Sequence, residues 1–393
     1  MKRLLLLPDG VRALLTRRYA DMRRQWLAGE GAWPMTIGLG VPLEFDMQER
    51  AGDIGQWISA WRDWRAPGQV EWHERHWRTM GTHRLPKSIS FPDAQAVAEQ
   101  IGEGMQWQRA LLRYRRFSRR WPGMRDTLPR YVDVLAGYAD AEFNRLDYLL
   151  TWIEENPQSN LYPRQLPITG VDTKWLEERK PMVAALVAAM QGLDTTGLDF
   201  FRICGLRTPP TTIRLRLLDP ILRACAGGLG DITAPIGELA ALPIRPSRLV
   251  VVENVQTGLA FGELPGAVVA MGLGYAVEIL AELPWAADIP GVYWGDLDTH
   301  GFAILSHARR FLPRLDSVLM DESILLDYRE LWGVEKQQHP AVDLPRLGEA
   351  EDALYRGLKE NRWGTNVRLE QERIPWPRAW RALTGRARTT FTP

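Results

Sequence analysis

Cysteine is scarce: Cys204 and Cys225 are the only two in 393 residues. Two thiols with no CxxC spacing, and six scattered histidines, exclude a disulfide framework and a structural zinc site. Lysine is rare too, with six positions (2, 87, 174, 180, 336 and 359) among 49 basic residues. No stretch approaches the ~20 consecutive apolar residues that a membrane-crossing helix needs. The opening MKRLLLLPDG starts basic, but four leucines are too few for the apolar part of a signal peptide. GxxxxGK[ST] and GxGxxG loops are missing, which removes the usual support for a small-molecule phosphotransferase. These absences predict a protein of a reducing compartment, expected in the cytoplasm, without a membrane partner.

What is present is an ordinary globular mixture, 45% hydrophobic and 25% charged, long enough for several packed units. The net charge of +1 hides an asymmetry. Residues 1–130 hold 22 basic and 14 acidic side chains, leaving 27 and 34 for the rest. A basic front and an acidic back suit a chain that touches a polyanion with one part and holds cations with another. The arginine bias fits bidentate phosphate contacts, and follows equally from a GC-rich genome.

The first 156 residues read as a mostly helical, basic arm. Asp9–Ala28 forms one expected helix, exposing Arg17, Arg18, Arg23 and Arg24. Trp57, Trp61 and Trp64 share a helix face and are expected in a core. Met105–Trp121 is the clearest amphipathic helix, with Arg109, Arg113, Arg116 and Arg120 in one narrow band. Four arginines on one face repel unless anions lie opposite. A DNA backbone would serve, and so would carboxylates of the chain itself. Prolines 157, 163 and 167 then break the helical pattern. Residues 157–246 are expected to form a winged-helix-like module, with short extended pieces, a Gly170 turn and an apolar helix.

From 247 to 393 the pattern becomes that of an α/β unit with a parallel sheet. RLVVVEN (248–254), GAVVAMGLG (266–274), GVYWGDLDTHG (291–301) and DSVLMDES (316–323) read as its strands. Ligands gather at the carboxyl ends of such strands, where Glu253, Asp296 and Asp298 converge. Three carboxylates together need a compensating cation, and Mg²⁺, with Mn²⁺ able to replace it, suits oxygen ligands. A lone Asp-x-Asp after a strand is often only a loop cap. The strand-terminal Glu one unit earlier makes the pattern more specific. His300 beside the pair is expected to bond the turn backbone, or to touch a phosphate.

The Glu253 … Asp296-x-Asp298-x-x-Gly301 arrangement resembles a Toprim domain, the metal-binding fold of topoisomerases, primases and some nucleases. The order of arm, winged-helix-like segment and Toprim is similar to the A subunit of topoisomerase VI. More closely, ITGVDTKWLEE (168–178), LVVVENVQTGLAF (249–261) with YWGDLDTHGFAIL (293–305), and RLEQERIP (368–375) resemble the JetD family, nuclease subunits of Wadjet anti-plasmid systems. The fold class expected is therefore α+β and multidomain. The resemblance implies a metal-dependent endonuclease that cleaves circular double-stranded DNA alongside an SMC-like motor complex of Wadjet subunits A, B and C. It makes Glu253, Asp296 and Asp298 metal-binding and catalytic, with Lys174 and Arg164 as DNA contacts. Glu370 and Glu372 match its last motif, where an ion pair with nearby arginine is expected. A homodimer would supply one active site per strand of a duplex.

Two other readings stay open. Topoisomerase VI-type enzymes use a tyrosine nucleophile, and Tyr162 is the candidate here. It precedes Pro163, which holds it extended, so hydrolysis by water is preferred. A non-catalytic DNA-binding adaptor is the third reading. The residues do not decide whether Glu253 holds metal or deprotonates water. No base-reading pattern stands out, so backbone and shape recognition are expected.

Overall fold

The computed structural model describes residues 5–385, apart from the side chains of 47 and 48. Lys2 and the start of the leucine run lie outside the described residues. The chain divides into two compact units, 1–209 and 210–393. The expected middle module does not form a unit of its own. Its first part (157–209) buries Val171, Trp175, Leu176, Met182 and Val183 in the core of the first unit. Its second part enters the sheet of the second unit. Among the described residues, 157–209 holds short helices and no strand, so it lacks the hairpin of a winged helix.

The first unit is helical around one small sheet. Pro8–Leu27 is a 20-residue helix with proline at its start, where no intrahelical N–H is lost. Ala51–Arg62 carries Trp57 and Trp61, both buried, and their indole N–H groups donate to the Leu6 carbonyl at 3.0 and 2.9 Å. Trp64 falls just past that helix. The arm is not purely helical: β1 (Met35–Gly38), β2 (Gln69–Trp77) and β3 (Gly81–Phe91) form an antiparallel sheet in the order β1-β3-β2. Leu85, Ile89 and Phe91 of β3 are fully buried. The amphipathic helix spans Gly104–Arg120, and Asp140–Glu155 follows it as a second long helix.

The second unit is built on six strands: β4 (Thr212–Leu217), β5 (Asp231–Pro235), β6 (Arg248–Val252), β7 (Ala267–Met271), β8 (Gly291–Trp294) and β9 (Leu315–Ser317). Their order is β5-β4-β7-β6-β8-β9. Strands β7, β6, β8 and β9 run parallel, and β4 and β5 add an antiparallel edge. The apolar runs VVV and AVVAM occupy β6 and β7, where helices and loops cover both sheet faces. A separate ribbon pairs β10 (Gly333–Val334) with β11 (Val367–Arg368). No helix among the described residues is long and apolar enough to cross a membrane.

Candidate active site

The central parallel strands β6 and β8 end side by side, and the chain delivers its acids just beyond them. Glu253 follows β6 directly, and Asp296 and Asp298 follow β8. Asp298 caps the helix Thr299–Ala308, accepting the Gly301 N–H at 2.7 Å. Two glycines make this turn possible. A Cβ at Gly301 would collide with the Asp296 carbonyl oxygen, and one at Gly295 with the Glu253 carboxylate.

Asp298 is 5% exposed, and burial, with Glu335 and Asp296 nearby, raises its carboxyl to about 6 despite the Gly301 bond. Glu253 is raised to about 7 by burial and by Asp296 and Asp298, although the Tyr293 hydroxyl donates to its Oε1. Uncharged forms are favoured because the site gathers negative charge away from water.

Arg368, on β11, answers that charge. Its Nη2 lies 2.5 Å from Asp296 and its Nε 3.1 Å from Asp298. The segment after it is fastened to the same turn. Leu297 and Leu369 exchange backbone hydrogen bonds (2.9 and 3.1 Å), and the Gln371 N–H donates to Asp296 Oδ1 at 2.8 Å. Glu370 pairs with Arg368 and Arg373, while Glu372 accepts from the Asn254 amide at 2.7 Å. Glu253, Asn254, Asp296, Arg368, Glu370 and Glu372 line a pocket of about 260 Å³.

Glu335 supports the turn from the other side. It is 4% exposed, and its Oε1 accepts from the Thr299 hydroxyl and the His300 N–H at 2.8 and 3.2 Å. His300 bonds the Gln337 carbonyl through Nε2 (3.0 Å) and the Tyr275 hydroxyl through Nδ1 (2.5 Å).

Carboxylate oxygens are suitable donors for a hard divalent cation, and buried acids of raised pKa are what such an ion would relieve. The donor chemistry therefore fits Mg²⁺ or Mn²⁺. The arrangement is not preassembled: among the described residues no three acids, histidines or cysteines form a metal-binding group. Arg368 lies against Asp296 and Asp298, and Tyr293 against Glu253.

The expected DNA contacts lie in the first unit. Lys174 is exposed on the helix Thr173–Glu177, which packs on the Pro163–Gln165 turn bearing exposed Arg164. The four arginines of Gly104–Arg120 face partners within the chain. Arg113 is 6% exposed and donates to the Leu135 and Tyr138 carbonyls (2.9 and 2.8 Å) and Asp140 (2.7 Å). Arg116 pairs with Asp147, Arg120 with Glu154 at 3.1 Å, and Arg109 donates to the Ala136 carbonyl at 3.3 Å. Internal partners thus relieve the repulsion on that face, and Arg113 is too enclosed to serve a phosphate. Arg115 and Arg119, which the band pattern passes over, are exposed with no partner among the described residues. Tyr162 lies in the first unit, half-buried, with the Arg207 guanidinium 4.9 Å from its ring centre.

Arg368, Tyr293 and Glu335 were not singled out by sequence pattern. Arg368 and Tyr293 each left a signal, at the heads of the RLEQERIP and YWGDLDTHGFAIL stretches, and Glu335 left none.

The second unit thus belongs to the class of α/β proteins that present acids at the carboxyl edge of a mostly parallel sheet. Residues 205–383 match the family model described as "Wadjet protein JetD, C-terminal", and residues 8–188 match "Uncharacterized protein conserved in bacteria N-term (DUF3322)". Between them the matches take in nearly the whole chain, and the chain belongs to the JetD family. No curated protein matches it.

Proposed function

We propose that this chain is the nuclease subunit of a Wadjet anti-plasmid defence system, a metal-dependent endonuclease with a Toprim-type centre. The observation that carries the reading is the meeting of Glu253, Asp296 and Asp298 at the ends of β6 and β8, two of them with raised carboxyl pKa. These three would hold Mg²⁺ or Mn²⁺, which when bound polarises the phosphodiester and neutralises the charge that develops on it. Asp298 is held by its cap bond and Asp296 by the Gln371 N–H, so their backbone turn is set, while their Oδ2 atoms lie against Arg368. Glu253, raised to about 7, is suited to exchanging a proton with water near neutrality.

Lys174 and Arg164 would contact the DNA backbone from the first unit, and the exposed Arg109, Arg116 and Arg120 would add to them. SMC-like partner subunits would present the DNA, and a homodimer would cut both strands. Hydrolysis is favoured over a tyrosyl adduct, since Tyr162 is half-buried and its ring lies against the Arg207 guanidinium. Incubation with DNA and metal, followed by denaturing gels, tests this point. Free ends without attached protein support hydrolysis, and an adduct lost in Tyr162→Phe overturns it.

A further inference from the structure

The cation at the acid cluster is supplied by the chain itself. Arg368 reaches from β11 to Asp296 Oδ2 (2.5 Å), Asp298 Oδ2 (3.1 Å) and Glu370 Oε1 (3.5 Å). Its backbone is held on several sides. β10 pairs with β11, Glu335 donates its N–H to the Asn366 carbonyl at 2.8 Å, and Leu369 is bonded both ways to Leu297. The side chain therefore projects from a fixed strand and is no freely moving surface arginine. The guanidinium hydrogen-bonds Asp296 and lies at ion-pair distance from Asp298, where its Nε makes no hydrogen bond, so it supplies both acids with the charge that a hard divalent ion would bring. Nothing else among the described residues offers those two acids a cationic partner.

We propose that Arg368 is an internal counter-cation that competes with the divalent ion for Asp296 and Asp298, and so sets the affinity of the centre for metal. This rests on reading Glu253, Asp296 and Asp298 as a metal centre. In the absence of metal, Arg368 lets the acids sit together without mutual repulsion, so the turn is formed before any ion arrives. Metal entry displaces the guanidinium from part of its carboxylate contacts. The freed group stays charged at all working pH values and faces the pocket shared with Glu253, Asn254 and Glu372. Arg368 is a positioning residue in this account, acting through the two aspartates.

Mn²⁺ binding to the full chain, read from the loss of the free-ion EPR signal at neutral pH, tests the competition without any assay of cleavage. Wild type, Arg368→Gln, Arg368→Lys and Asp298→Asn are compared. Removal of the internal cation in Arg368→Gln should tighten Mn²⁺ binding by about tenfold or more. Arg368→Lys keeps the charge but cannot bridge both aspartates, and should fall between it and wild type. Unchanged or weaker binding in Arg368→Gln, with Asp298→Asn still losing the ion, overturns the competition and leaves the metal centre standing. Mn²⁺ binding by neither wild type nor Arg368→Gln overturns both. Should Arg368→Gln fail to fold, an Arg368→Lys protein with no gain in Mn²⁺ affinity overturns the competition by itself.

Discussion

Arg113 and Arg115 stand two residues apart on one helix, the first buried and the second exposed. Arg113 is buried over the Phe143 ring (4.3 Å) and satisfies two carbonyls. Arg113→Met should lower the stability of the first unit by about 2–4 kcal/mol, because those carbonyls lose a buried donor. Thermal unfolding measures this. Arg115→Ala with Arg119→Ala should leave the melting temperature nearly unchanged while weakening DNA binding and flattening its salt dependence. The sequence band correctly shows one arginine face. It cannot show which face meets Asp140, Asp147 and Glu154, since those partners lie 27 to 34 residues downstream. The acids Glu253, Asp296 and Asp298 were legible because each ends a buried apolar run, a local signal. Arg368 was not, because its role comes from a pairing 72 residues away.

At the scale of elements, the turn between β8 and Thr299–Ala308 depends on close backbone approach at Gly301. Gly301→Ala forces a methyl against the Asp296 carbonyl, so a destabilisation of about 1–3 kcal/mol is expected. Cleavage should fall further than stability, since the same shift moves Asp296 and Asp298. Comparing activity with thermal unfolding of the variant checks this.

Glu351 joins three elements: it accepts from Arg309 (2.9 Å), from Ser317 on β9, and from Gly348 at the start of its own helix Glu349–Lys359. Burial alone would raise its carboxyl, but Arg309, Ser317 and the Gly348 N–H outweigh it and hold it below the usual glutamate range. A lowered carboxyl stabilises the fold at neutral pH, and that contribution fades as pH falls from the ordinary glutamate value toward the depressed one. Wild type should therefore exceed Glu351→Gln in stability at pH 7, with the gap closing as the solution is acidified. A gap that does not change with pH would contradict this. Three of the four parallel strands are legible element by element; the fourth, expected at 316–323, is instead the short β9 at Leu315–Ser317, and the expected stretch runs on into the helix Glu322–Asp327. The sheet β1-β3-β2 was not legible: β2 mixes charged residues with two tryptophan and histidine pairs, and its exposed face obscures an apolar period.

At the scale of the whole molecule, the boundaries drawn from proline content misplace the middle region. Prolines 157, 163 and 167 mark a break in helix, but the real division falls at 209/210. The alternating Ile213, Leu215 and Leu217 of β4 belong to the sheet that holds the acids, because they pair with β7. A break in local pattern shows where the chain turns, whereas unit membership is decided by what the next apolar face finds to cover it. The match to the uncharacterized N-terminal family (8–188) and the match to the JetD C-terminal family (205–383) meet close to that division. Glu253, Asp296 and Asp298 are proposed to cut DNA with a divalent ion. The most direct test incubates closed-circular plasmid with this chain and its SMC-like partner complex, in Mg²⁺, Mn²⁺ or EDTA, with Glu253→Ala in parallel. Linearised plasmid is expected with either metal, and none with EDTA or with a folded Glu253→Ala protein. Equal cutting by Glu253→Ala, or cutting that persists in EDTA, would contradict the proposal.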